Sequence, residues 1–325
     1  MRLLFFFATL LFALNAEEPY LKVEGWKAAV KTPEDFERLE RFSSLKGNGT
    51  PVAEIPKVLH VVWLEPRALP KKKLASWIEH HPDWEINVWS ETLEALPHPA
   101  LRLRGREEFP LGALEEYYYD APTTHERSFV LRYAILLKEG GVYINPDLEC
   151  RASLQPLLAT HDFFCALAIP GHTFQSSSVQ PGCELIAAAK EHPILASATQ
   201  WLKGHWKAFE DLSGATDDLC MQSRLQHRCA HALSMGIESA ACKEGRSDSV
   251  FPPHFFYGDA NSGVYATAPK ALFRRQQEAE KEKMQDALKG IHNQLRFSLL
   301  LIFALGVLNL ILVIVIVYLY RKRKK

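Results

Sequence analysis

Three short apolar runs, separated by segments of helical spacing, restrict the fold of this chain more than any other feature. Lys57-Val-Leu-His-Val-Val-Trp63 is β-branched and suited to a buried strand, and Trp84-Glu-Ile-Asn-Val-Trp89 alternates with period two. Val142-Tyr-Ile144 supplies a third, very short run. Between them, Leu74 to His81 and Arg127 to Lys138 place apolar residues at helical spacing, the second with Arg132 among them and a stop at Gly140-Gly141. A strand–helix–strand–helix–strand rhythm specifies an α/β domain on a mainly parallel sheet.

The flanks of that block read less sharply. Thr32-Pro33-Glu34-Asp35 opens a charged helix, with threonine at the N-cap and proline at the first helical position. Residues 43–56 are loop-like, and the run Tyr117–Tyr119 with Asp120 reads as a surface loop. Beyond Cys150, helix-like stretches fall near 184–190 and 194–209, and Val250 to Tyr257 closes the globular part. Residues 270–295, rich in Glu, Lys, Gln and Arg, form a helical stalk.

Both ends of the chain point to a membrane. Residues 1–16 have an early positive charge, a short apolar core and Ala16 before two glutamates, the pattern of a signal peptide. Phe297 to Tyr320 is an apolar run long enough to cross a hydrocarbon layer of roughly 30 Å. Arg321 to Lys325 are all basic and fix that end on the cytoplasmic side. The expected layout is a signal peptide at 1–16, an N-terminal helical and linker segment at 17–54, and a domain at 55–260. The stalk at 270–295, a membrane span at 297–320 and a cytoplasmic tail at 321–325 complete it. The domain then faces a lumen or another extracytoplasmic space.

Composition excludes one class of partner. The 38 basic residues balance 38 acidic ones only through the five-residue basic tail, so the remainder is mildly acidic and unsuited to nucleic acid. All six cysteines lie at or beyond residue 150, and in an exported domain some of them are expected to pair. Cys220, His227, Cys229 and His231 match no standard structural zinc spacing.

The chemistry concentrates in Gly140-Gly-Val-Tyr-Ile-Asn-Pro-Asp-Leu-Glu-Cys150. Period-two spacing puts Asn145, Asp147 and Glu149 on one face of an extended segment. Three oxygen-bearing side chains on one face suit a hard divalent cation and equally suit a solvated strand end. Ligands of open α/β sheets bind at the carboxyl ends of strands. Trp63 and the Asn145–Glu149 tip both occupy such ends, so an aromatic for a nucleobase and a carboxylate for a diphosphate-bound cation describe a nucleotide-sugar site.

The same segments resemble a known family. Ile55-Pro-Lys-Val-Leu-His-Val-Val-Trp63, the Ser76 to Trp89 segment SWIEHHPDWEINVW within its helix and strand, and Arg127 to Asp147 (RSFVLRYAILLKEGGVYINPD) are similar to the DXD-containing glycosyltransferases of family 32. That family includes yeast Golgi mannosyltransferases and resembles glucosylating bacterial toxins. Val250-Phe-Pro-Pro-His-Phe-Phe-Tyr257 is similar to its closing strand. The resemblance implies a GT-A-like nucleotide-sugar-binding domain, a Rossmann-like mixed sheet flanked by helices. It implies transfer of a hexose from a UDP- or GDP-sugar to a glycan, lipid or protein acceptor, with retention and assisted by Mn2+ or Mg2+.

Carried over by residue, Trp63 stacks on the donor base, Arg132 reaches the donor sugar or phosphate, and Tyr143 supports the strand. Asp147 is the second carboxylate of D-x-D and the metal ligand, and the alternation of the tip, rather than the resemblance, adds Glu149 to the metal site. Two positions depart from the family pattern. Asn145 replaces the first aspartate, contacting sugar hydroxyls through an uncharged amide, and Phe129 replaces the aspartate after Ser128. Two function classes follow: a membrane-anchored hexosyltransferase, or a degenerate relative that binds a sugar nucleotide or a partner without turnover.

Overall fold

A computed structural model describes residues 32–45, 50–93, 95–168, 179–208, 210, 217–258 and 263–268. All of these lie in the first of the two units into which the chain divides, residues 1–272. Helix α1 (Pro33–Ser44) leads into strand β1 (Val58–Val62), α2 (Lys71–His80), β2 (Glu85–Trp89) and β3 (Leu101–Arg104). Next come α3 (Glu115–Asp120), α4 (Thr124–Glu139), β4 (Gly141–Ile144), β5 (Glu149–Cys150), β6 (Phe163–Leu167) and β7 (Pro181–Ala188). Helices α5 (Pro193–Gly204), α6 (Asp217–Gln226) and α7 (Ala232–Ala240) follow, then β8 (Asp248–Phe251), α8 (His254–Tyr257) and β9 (Ala266–Thr267).

Seven strands form one sheet in the order β3-β2-β1-β4-β7-β6-β8, and β5 pairs with β9 in a separate two-stranded ribbon. The pairs β1–β2, β1–β4, β2–β3 and β6–β8 are parallel, whereas β7 runs against both β4 and β6. The expected α/β fold with a mainly parallel sheet is thus present, with one antiparallel strand inside it. The chain moves from β1 outward through β2 to β3 and then returns to place β4 on the other side of β1. Sheets with such a reversal accept ligands in the crevice beyond the carboxyl ends of the two strands that flank it, here β1 and β4.

The Gly140-Gly141 pair sets how closely β4 approaches β1. Gly140 ends α4 at φ +68°, with its N–H donating to the Leu136 carbonyl at 3.0 Å. Gly141 follows at φ +93°, and a Cβ there would sit 2.8 Å from the Val58 carbonyl oxygen and 2.9 Å from His60 Nε2. Only glycine allows both the left-handed turn and the flush strand. His60 secures the junction: its Nε2 donates to the Gly140 carbonyl at 2.9 Å, while Nδ1 accepts from Trp89 Nε1 at 3.1 Å.

Several expectations need correction. The stretch near 184–190 is not helical; residues 181–188 form β7, which is buried along nearly its whole length. Ala and Glu favour helix, but a short apolar run cannot be told from a buried strand by periodicity, and its place between β4 and β6 decides. Tyr117–Asp120 is part of α3 rather than a loop; Tyr118 is fully buried and donates to Glu91 Oε1 at 2.8 Å. The N-terminal helix does appear as expected, with a reciprocal capping box between Thr32 and Asp35. It is also part of the core, since Leu39 and Phe42 are fully buried in the main hydrophobic cluster.

The expected pairing of cysteines is not found among the described residues: Cys150, Cys165, Cys183, Cys229 and Cys242 are free thiols. Among the described residues no helix is long and apolar enough to cross a membrane. The signal peptide at 1–16, the stalk at 270–295 and the span at 297–320 lie outside the described residues.

Candidate functional site

The tip after β4 is not the extended segment that alternation predicts. It folds into a turn: the Leu148 N–H donates to the Asn145 carbonyl at 2.9 Å, and Asn145 Oδ1 accepts from the Asp147 N–H at 2.9 Å. Pro146 pre-sets its own φ and has no N–H to lose, so Asn-Pro-Asp is well suited to this side-chain-capped turn. The consequence is that Asn145, Asp147 and Glu149 do not share one strand face. Glu149 has already entered β5, exposed and paired in register with Thr267.

One face of α2 holds the tip in place. Lys73, Ser76 and Trp77 lie three and four residues apart and so share that face. Lys73 Nζ donates to the Asp147 carbonyl at 2.5 Å, Trp77 Nε1 to the Leu148 carbonyl at 2.9 Å, and Ser76 Oγ accepts from the Cys150 N–H at 2.9 Å. One turn on, His81 Nε2 accepts from the Leu154 N–H at 3.0 Å while Nδ1 donates to the Trp77 carbonyl at 3.0 Å. That arrangement requires a neutral ring, and burial lowers the His81 pKa to about 4. The sequence places all four residues on α2 or its end, but their targets are some 70 positions away, and nothing local reveals them.

The loop after β1 closes the opposite wall. Trp63 is only 2% exposed; its indole Nε1 donates to the Arg67 carbonyl at 2.8 Å, and the Arg67 guanidinium carbon lies 4.6 Å from the ring centroid. Base stacking on Trp63 would require Arg67 to leave that face. Arg67 bridges the crevice: it pairs with Glu65 on its own loop and, through Nη2 at 3.4 Å, with Asp147 Oδ2. Lys73 Nζ lies 3.4 Å from the other carboxylate oxygen of Asp147. Trp63 and Asp147 are therefore brought to the same crevice, linked by an arginine that sequence reasoning did not single out.

Arg132 and Tyr143 sit deeper. Tyr143 is buried and accepts from Arg132 Nη2 at 2.7 Å, with the guanidinium carbon 3.8 Å from its ring centroid. Arg132 Nη1 also donates to the Cys183 carbonyl on β7, and Phe129 lies under the same guanidinium at 4.7 Å. Burial pushes the Tyr143 hydroxyl pKa up to about 12, so it remains a phenol. Asn145 completes the link to β7, its N–H donating to the Glu184 carbonyl at 2.6 Å. Arg132 thus ties the helix to the two strands that carry the tip.

A divalent cation fits this donor set poorly. The expected pair, Asp147 and Glu149, is split between a turn and β5, and both oxygens of Asp147 already face cationic nitrogens. Among the described residues no three His, Cys, Asp or Glu side chains come together in a way that would hold a metal.

The family described as "Glycosyltransferase sugar-binding region containing DXD motif" matches residues 69–164, which include α2, α4, β4 and the Asn145–Asp147 tip. Inositol phosphoceramide mannosyltransferase 3 of Schizosaccharomyces pombe is 30% identical over 146 residues, covering 44% of this chain and 36% of that protein. Mannosyl phosphorylinositol ceramide synthase SUR1 of Saccharomyces cerevisiae is 28% identical over 160 residues, covering 47% of this chain and 36% of that protein. The matched region thus spans little more than a third of the length of these two relatives. Among solved structures, the PaToxG glycosyltransferase aligns over 66% of this chain and 77% of that one, at 13% identity and a TM-score of 0.43. Residues 69–164 bear out the resemblance to the sugar-binding region of DXD-containing glycosyltransferases that the motifs had raised.

Proposed function

We propose that the chain is a hexosyltransferase that takes its sugar from a nucleotide-sugar donor bound in the β1–β4 crevice of a GT-A-like domain. The observation that carries this reading is the meeting of Trp63, after β1, with Asp147, after β4, at the point where the strand order reverses. Family similarity over residues 69–164 supports it. The names of the yeast relatives make mannose and an inositol-containing sphingolipid the first donor–acceptor pair to test. In the reaction the bond from the anomeric carbon to the diphosphate breaks, and an acceptor hydroxyl oxygen bonds to that carbon on the face the diphosphate vacates, its proton passing to the departing diphosphate. The electron pair leaves on the diphosphate oxygen, and the site's task is to stabilise that charge.

Retention at the anomeric carbon and anchoring by residues 297–320, with the domain lumenal, complete the proposal. In it Arg132 is a positioning residue: it holds Tyr143 and the β7 backbone, and through them the tip. The metal-assisted form implied by the resemblance requires Asp147 to exchange its two cationic neighbours for Mn2+ or Mg2+.

The degenerate reading has its own support, because Asn145 spends its oxygen on the turn and Phe129 is packed against Arg132. The test is to incubate the purified chain with GDP-mannose and with UDP-hexoses, with and without lipid acceptor, and follow nucleotide release and product. Acceptor-dependent release of GDP or UDP is the expected result. Binding of nucleotide with no release from any donor would favour the degenerate reading.

A further inference from the structure

We propose that Arg67 and Lys73 form a cationic clamp for the diphosphate of a nucleotide, with Asp147 as the counter-ion that holds them ready while the site is empty. The inference rests on the nucleotide-sugar reading above and assigns it a binding device that does not need a metal ion. Arg67 comes from the loop after β1 and Lys73 from the first turn of α2, yet both reach Asp147, one to each carboxylate oxygen at 3.4 Å. A single carboxylate between two cations is replaceable: a diphosphate offers more oxygens and more negative charge to the same fork and ammonium. Both cations remain accessible, with 52% of the Arg67 and 28% of the Lys73 side chain exposed, so neither is locked in the core.

The local sequence is unfavourable to the helix and favourable to an anion. Lys71, Lys72 and Lys73 occupy the first turn of α2, which has no acidic residue and no side-chain cap. Positive charge at a helix N-terminus opposes the helix dipole. An anionic group bound between Lys73 and Arg67 removes that conflict, whereas a divalent cation at Asp147 adds to it. Displacement of Arg67 toward phosphate also uncovers the Trp63 ring, which it now overlies at 4.6 Å. Diphosphate binding and exposure of the aromatic for a base are thereby one movement of one side chain.

The test is calorimetric titration of the 325-residue chain with UDP and GDP in EDTA and, separately, in Mn2+. Expected results are binding in EDTA, weakened at least about tenfold by Lys73→Met and by Arg67→Ala, with Lys73→Arg retaining most of the affinity. Asp147→Asn, which removes the carboxylate charge that both cations share, is expected to leave metal-free affinity unchanged or tighter. Binding that appears only with Mn2+, is lost in Asp147→Asn and is indifferent to Lys73→Met would overturn the clamp while leaving the transferase reading intact. Failure of both nucleotides to bind in either condition would remove the nucleotide-sugar reading and the clamp together.

Discussion

Asn145 Oδ1 accepts a hydrogen bond from the Asp147 N–H at 2.9 Å, so the first position of the N-x-D sequence caps the turn that presents the second. The amide therefore has a structural duty that a carboxylate can also perform. Asn145→Asp is expected to keep the turn and change stability by no more than about 0.5 kcal/mol. Asn145→Ala removes the acceptor and is expected to cost about 1 kcal/mol. Chemical denaturation of the two variants separates them; equal losses would show that the cap is immaterial.

The α2 face that grips the tip gives a second prediction. Trp77→Phe keeps the buried ring but leaves the Leu148 carbonyl without its donor, at a cost of about 1–3 kcal/mol. Because the carbonyl belongs to the tip, nucleotide affinity should fall as well. A stability loss without any change in nucleotide binding would detach α2 from the site.

Acid should loosen the domain through its buried histidines. His60 and His81 are neutral and buried, each with its pKa lowered to about 4 chiefly by burial. The unfolded chain, with ordinary values near 6.5, binds more protons in this range, so stability is full above about pH 6.5 and declines as pH falls toward 4. Each histidine contributes a slope of up to about 1.4 kcal/mol per pH unit inside that window. Denaturation midpoints measured from pH 7.5 to 4.5 check this, and His81→Gln should flatten the dependence.

Gly141 and Gly245 offer a paired test of why glycine follows α4. Both have positive φ, +93° and +74°, but only Gly141 would bring a Cβ against backbone, at 2.8 Å from the Val58 oxygen. Gly245→Ala is expected to cost about 1 kcal/mol from conformation alone, and Gly141→Ala clearly more, because β4 must separate from β1. Similar losses in thermal unfolding would mean that close strand approach is unimportant.

The balance between sequence and structure differs from element to element. The strand runs at Val58–Val62 and Glu85–Trp89, the helix ending at Gly140 and the capped start at Thr32 are all legible in the residues. Each depends on local causes: β-branched or alternating side chains, a glycine stop, or a threonine and an aspartate three apart. Residues 181–188 were misleading because helix propensity is a weak preference and the centre of a sheet outweighs it.

By itself, then, the sequence determined the α/β rhythm, the two glycines that seat β4, and the residue types gathered at Asn145–Asp147. Only the tertiary structure decided how those residues are used. It converted the expected extended tip into a capped turn, sent Glu149 into another strand, and set Arg132 on the Tyr143 hydroxyl and the Cys183 carbonyl. It also brought Arg67 and Lys73 to Asp147 across 80 and 74 positions of chain. Such contacts depend on where β1 and β4 lie side by side, and no periodicity along the chain encodes a charge pairing set by that juxtaposition.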